Sequence, residues 1–255
     1  MASSILSLGA LLSAGSSTVR TVDVEACLID GLVSQNLPVG DAAVKTALFL
    51  CVEKYGGFTS LQTTALQLLK GMNLTVTEHD LRVQWPMLLR IIETLSGDKT
   101  GGAEVLSALY EFFIPLVNSQ TLTASLIRKP YRSFTHTNTP VTLLALVGQS
   151  LLLTATTTRT TTTTAINALV RSSNTKSAAR LEKTGLQLLE RILRINSQTQ
   201  MTGEKEYFAL SKPLLHIMQR RSLSSSSADI FHQCFELLGH LFAEKNGRAA
   251  AQVFR

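Results

Sequence analysis

Along this chain apolar residues recur at three- and four-residue steps in nearly every segment, and strict two-residue alternation is hard to find. Helices repeat a face about every 3.6 residues and strands every two, so the pattern predicts an all-α protein. Asp41 can N-cap a helix over 42–55 that turns Val44, Ala47, Leu48 and Cys51 to one face, with Gly56-Gly57 as its stop. Ser60 caps a second helix over 61–72, with Leu61, Ala65, Leu66, Leu68 and Leu69 inward. Thr75 and Glu78 have capping-box spacing and announce another start; Pro86 sits as a first-turn proline before a helix over 87–95 that Ser96-Gly97-Asp98 ends. A helix over 103–113 follows, and Pro115 closes or kinks it.

After a short stretch at 121–129, residues 130–140 form a polar connection with two prolines, the best hinge or insertion point in the chain. Beyond it, 141–153 reads as a strongly apolar helix. Residues 154–164 hold nine threonines in eleven positions, and β-branching makes them poor intrinsic helix formers, although Ala165, Ile166, Leu169 and Val170 continue a helical stripe. Over 177–195, Leu181, Leu186, Leu188, Leu189, Ile192 and Leu193 are apolar while Glu182, Lys183, Glu190, Arg191 and Arg194 are charged, the clearest amphipathic helix of the chain. A helix over 205–220 is interrupted by Pro213, a serine loop covers 222–227, and a last helix covers 228–242. The expected organisation is a short N-terminal helix or flexible end at 1–20, N-terminal helical repeats at 21–129, a hinge or inserted loop at 130–140, and basic helical repeats at 141–255.

Short helices joined by short polar turns raise the question of internal periodicity. Pro86-Met87-Leu88-Leu89-Arg90-Ile91-Ile92 is followed by a polar turn and then Val105-Leu106-Ser107-Ala108-Leu109. Pro213-Leu214-Leu215-His216-Ile217-Met218 is likewise followed by the serine turn and then Phe235-Glu236-Leu237-Leu238-Gly239. The two prolines are 127 residues apart, which is three periods of roughly 42. Between them Pro140 opens Val141-Thr142-Leu143-Leu144, and the runs Ala65-Leu66-Gln67-Leu68-Leu69 and Gly185-Leu186-Gln187-Leu188-Leu189 are 120 residues apart. In these features residues 37–245 resemble armadillo- and HEAT-type repeat proteins, as four or five degenerate units. The resemblance implies a right-handed α-solenoid of stacked helical hairpins, with an irregular helical bundle as the alternative. A single unit cannot bury its own apolar face, so stacking has to supply the core.

Composition narrows the class. At 255 residues and 45% hydrophobic content, with mean hydropathy +0.18, the chain can bury a real core and is not globally disordered. Three cysteines, Cys27, Cys51 and Cys234, are an odd number and no disulfide framework, which fits a reducing compartment; a cytoplasmic or nuclear site is expected, with an organellar one as the alternative. The first 22 residues hold one basic residue, Arg20, so they lack the positive start of a secretory signal and the several arginines of a transit peptide. Residues 133–158 carry no Lys, Arg, Asp or Glu, but their apolar centre at 141–155 is shorter than the roughly 20 residues a bilayer requires, and a buried helix is expected there.

The search for chemistry finds no glycine-rich phosphate loop, no dinucleotide fingerprint and no paired-cysteine zinc motif, so a non-enzyme without cofactor, metal or small-molecule substrate is expected. Cys51 and Cys234 fall on apolar faces as small hydrophobes. His232, Glu236 and His240 form an i, i+4, i+8 ladder; two of them could hold a metal, but the spacing reads as a solvated face opposite Phe231, Cys234, Leu238 and Leu241. Asp80, beside His79, meets the positive end of a helix dipole.

Charge is the one strong asymmetry. Residues 1–113 carry a net −4 and residues 114–255 a net +10. Arg128, Lys129 and Arg132 flank Tyr131, and a second basic stretch, Arg171, Lys176, Arg180, Lys183, Arg191 and Arg194, has no aromatics. Such a stretch suits phosphates or an acidic helix better than stacked bases. The leading reading is a helical-repeat scaffold that contacts an acidic protein surface within a larger complex through these nine residues. Alternatives are an RNA-associated assembly factor or ribonucleoprotein subunit using the basic half, and a membrane-associated protein using 141–155. Ser222 and Ser224, just after Arg220-Arg221, are candidate phosphorylation sites whose modification would cut the local positive charge.

Overall fold

A computed structural model describes residues 45, 48–49, 51–53, 59–97, 102–133, 140–156, 166–196, 204–221 and 228–243. These are almost entirely helical. Helical positions at Lys45, Leu48, Phe49 and 51–53 precede α1 (Thr59–Gly71), α2 (Glu78–Gly97), α3 (Gly102–Asn118) and the single turn α4 (Ala124–Ile127). Strand β1 (Tyr131–Arg132) and strand β2 (Pro140–Val141) come next, then α5 (Leu143–Thr156), α6 (Ile166–Asn196), α7 (Glu204–Arg221) and α8 (Ala228–Ala243).

The periodic leucines fall inward as their spacing requires. Ala65, Leu66 and Leu69 of α1, Leu181, Leu186, Leu188, Leu189, Ile192 and Leu193 of α6, and Cys51 and Cys234 are all buried in one apolar cluster. Phe49, Phe112, Phe113 and Trp85 form its aromatic centre, with Phe49 edge-on to Phe112 at 6.1 Å and Trp85 tilted against Phe113 at 5.7 Å. The apolar segment proposed for a buried helix is one: Leu143, Leu144, Leu146, Val147 and Leu151 of α5 are buried, and among the described residues no helix is long and apolar enough to cross a membrane. Burial pushes the Cys51 thiol up to about 11, so it packs as a small hydrophobe rather than a nucleophile.

Helix α3 packs on α1, α2 and α6; α5 packs on α2, α6 and α7; α8 packs on α6 and α7. Burial is continuous across these contacts. At the crossing of α5 and α6 the helices come so close that a Cβ on Gly185 would lie 2.9 Å from Leu151 Cδ2.

Several boundaries differ from the sequence reading. Helix α2 begins at Glu78 and runs unbroken through Pro86, so that proline is internal rather than first-turn. Its cap lies two residues downstream of the Thr75–Glu78 box: the Asp80 amide donates to Thr77 Oγ1 at 3.2 Å and the Thr77 amide to Asp80 Oδ2 at 2.9 Å, while Thr75 Oγ1 donates to Met72 O. Pro115 and Pro213 also lie inside helices, α3 and α7, because packing on both sides outweighs the hydrogen bond each proline forgoes. What ends α3 is Gln120 in the left-handed region, φ 60°, whose amide reaches back to Val117 O as the chain turns. Helix α6 starts eleven residues before the expected 177.

The segment read as a hinge or insertion is pinned by a two-residue antiparallel ladder, Tyr131 opposite Val141 and Arg132 opposite Pro140, a short exception to the all-helical expectation. The Ser133 hydroxyl donates to the buried carboxylate of Glu93 on α2, tying the ladder to the helical core. Burial, with the neighbouring Glu93 charge, holds the Tyr131 phenol above its ordinary range.

An ion pair between buried Lys45 and half-buried Asp80 joins the first helical segment to α2. Lys45 Nζ lies 2.7 Å from Asp80 Oδ2 and donates to Thr75 O at 2.8 Å. Partial burial works to raise the Asp80 carboxyl, but the hydrogen bonds from Lys45 and Thr77 and the Lys45 charge outweigh it and hold it below the usual carboxylate range.

Candidate basic interface

Among the described residues, helix α6 carries the densest basic cluster on a single side. Lys176, Arg180, Lys183, Arg191 and Arg194 are spaced by four, three, eight and three residues, which at 3.6 residues per turn keeps them in one stripe about 27 Å long. All five are exposed, while Leu181, Leu188 and Ile192 point the other way into the core. The stripe exists because the sequence puts its leucines and its cations on opposite arcs of the same helix. Arg171 belongs to α6, but its side chain lies outside the described residues. Glu182, expected among the charged positions, is fully buried: it falls four residues before Leu186 and seven before Leu189, on the inward arc.

Two of the five cations are held in place by carboxylates. Arg180 Nη2 and Nε lie 2.7 and 2.9 Å from Glu111 Oε1 on α3, and Lys70 on α1 takes Glu111 Oε2 at 3.0 Å. Partial burial pushes the Glu111 carboxyl upward, and hydrogen bonds from Arg180 and Lys70 with their charges overcome that and keep it below the ordinary range. Arg194 pairs with Glu190 one turn back at 2.7 Å. Lys176, Lys183 and Arg191 extend the stripe between and beyond these pairs.

The other basic residues lie on different elements. Lys129 and Arg132 are exposed and Arg128 is half-buried, around α4 and β1, and Arg128 and Arg132 engage partners of their own. Tyr131, between them, is buried, so this cluster offers no exposed ring for a base to stack on.

The histidine ladder is on the outside of α8. His232, Glu236 and His240 are exposed, with His232 Nε2 3.2 Å from Glu236 Oε1. Among the described residues no group of three metal-ligating side chains converges. Phe231, expected on the buried face, is 36% exposed, and Phe235 is 61% exposed. Ser222, Ser224, Cys27 and His136 lie outside the described residues.

The Glu111 bridge could not be read from sequence, because its partners are 41 and 69 residues away and no local pattern links them. Set against protein-family models, curated proteins and solved structures, the chain matches none.

Proposed function

We propose that the chain is a non-enzymatic helical-repeat scaffold of armadillo/HEAT-like α-solenoid type, binding the acidic surface of a protein partner through the exposed side of α6 within a larger complex. The observation that carries the binding reading is the five-cation stripe, Lys176 to Arg194, on a helix whose opposite side is buried.

The packing partners support the repeat reading. In the hairpins α2–α3, α5–α6 and α7–α8, each first helix packs on the next first helix and each second helix on the next second helix, and α1 extends the second row. That is the contact pattern by which repeats that cannot bury their own faces bury each other's. Pro86 and Pro213 support it further, lying nine and ten residues into α2 and α7, both first helices.

An acidic protein surface fits the stripe better than RNA does. Its charges are separated by one or two helical turns, as carboxylates on a facing helix are, and α6 itself holds no aromatic residue. The test is affinity purification of the tagged full chain after nuclease treatment, with Lys183→Glu/Arg191→Glu as the comparison. A protein partner retained by the wild type and lost by the variant is the expected result. Recovery that vanishes with nuclease would favour RNA, and equal recovery by both forms would remove α6 from the account.

A further inference from the structure

Helix α8 has an apolar arc wider than its packing uses. Cys234, Leu237, Leu238 and Leu241 are buried against the rest of the chain, and next to them Phe231 and Phe235 face outward, followed at the same four-residue step by Gly239, where a Cβ would meet no side chain and no other element within 4 Å. A large exposed ring costs solvation free energy, and two in succession beside an empty glycine position make a contiguous apolar surface rather than scattered exposure.

We infer that this face of α8 pairs with the same face of a second copy of the chain, antiparallel and about a twofold axis passing beside Phe235. The helix is self-complementary under that operation. Phe231 and Gly239 are each four residues from Phe235, in opposite directions, so the twofold sets the Phe231 ring of each copy over Gly239 of the other, with the two Phe235 rings meeting at the axis. A flat position for an aromatic ring is what a glycine without a Cβ supplies.

Charge follows the same symmetry. His232 and Glu236 lie on one flank of the Phe231–Phe235–Gly239 line, and an antiparallel twofold brings like flank to like flank. His232 of each copy then lies about 3 Å along the axis from Glu236 of the other; Glu236 has the same axial offset from its own copy but stands farther round the helix from the apolar line, so His232 comes between the two carboxylates and the pair formed within one helix at 3.2 Å can exchange for two pairs between helices. Asp229 and His240, also exposed on α8, lie farther round that flank and add no like-charge contact at the apolar line. One helix face is a small interface, so association in the micromolar range is expected rather than an obligate dimer.

Sedimentation of the full chain over a range reaching hundreds of micromolar tests this. The wild type should move between monomer and dimer, and Phe235→Glu, which sets two carboxylates against each other at the axis, should weaken association at least about tenfold. Circular dichroism checks that the exposed substitution leaves the helices intact. A second readout is independent of affinity: a residue beside a twofold meets its own copy, so Phe235→Cys should give a covalent dimer on mild oxidation while Val83→Cys, 60% exposed on α2, should not. A wild type that stays monomeric throughout, species larger than a dimer, or equal crosslinking by both cysteine variants would each overturn the inference.

Discussion

Arg180 on α6 and Glu111 on α3 meet at 2.7 Å, and the same carboxylate holds Lys70 of α1 at 3.0 Å, so one acid ties three helices that are far apart in sequence. The arrangement also decides which way a stripe cation leans, because this bridge anchors Arg180 to a neighbouring helix.

The two lowered carboxyls, Glu111 and Asp80, give the fold a pH dependence of known sign. A carboxyl whose folded value lies below its unfolded value releases its proton more readily when folded, so its stabilisation is complete above the ordinary carboxylate range and is lost as pH falls through the folded value. Urea unfolding followed from neutral pH downward should show stability falling from about pH 5, and Glu111→Gln should flatten that fall. Because Arg180 and Lys70 are nearly half exposed, the substitution itself should cost no more than about 1 kcal/mol at neutral pH.

The Lys45–Asp80 pair should behave differently, since the Lys45 side chain is 9% exposed. Asp80→Asn keeps an oxygen for the cap but leaves a buried ammonium without its counter-charge, and should cost about 2–4 kcal/mol. Lys45→Met should cost less. The double variant should recover part of the Asp80→Asn loss in thermal unfolding, which a simple loss of capping would not allow.

Tyr110 and Ser150 form a buried hydroxyl pair at 2.7 Å between α3 and α5, and Ser150 Oγ donates onward to Val147 O at 2.8 Å. Ser150 therefore accepts from Tyr110. Tyr110→Phe removes a donor and leaves Ser150 bonded, at a cost of about 1 kcal/mol; Ser150→Ala leaves a buried phenol unpaired and should cost more, toward 2–3 kcal/mol. Chemical denaturation of the two single variants gives the order directly.

Glycine positions predict opposite outcomes in one experiment. A Cβ on Gly102 would lie 2.8 Å from the Leu95 carbonyl oxygen, and backbone cannot swing aside, so Gly102→Ala should destabilise by about 1–3 kcal/mol. Gly71, at the end of α1, has open space around it, and Gly71→Ala should be neutral or stabilising by up to about 1 kcal/mol.

How much of this was legible in the sequence depends on range. The leucine spacing of 181–193 and the cation spacing of 176–194 are local, and both the buried and the basic side of α6 could be read from them. The inward place of Glu182 is legible too: its register with Leu186 and Leu189 points it to the core in spite of its charge. The internal places of Pro86, Pro115 and Pro213 were not legible, because a proline that opens or ends an isolated helix is tolerated inside one packed on several neighbours. Lys45 with Asp80, Glu111 with Arg180, and the open side of Phe235 depend on which helices become neighbours, and no spacing within one helix encodes that.

The most direct measurement of the proposed role is zero-length carboxyl-to-amine crosslinking of the nuclease-treated complex, with the joined residues mapped by mass spectrometry. If α6 is the working surface, partner aspartates or glutamates will be found joined to Lys176 and Lys183. Links confined to lysines of other elements, with Lys176 and Lys183 as unreactive in the complex as with no partner present, would contradict it.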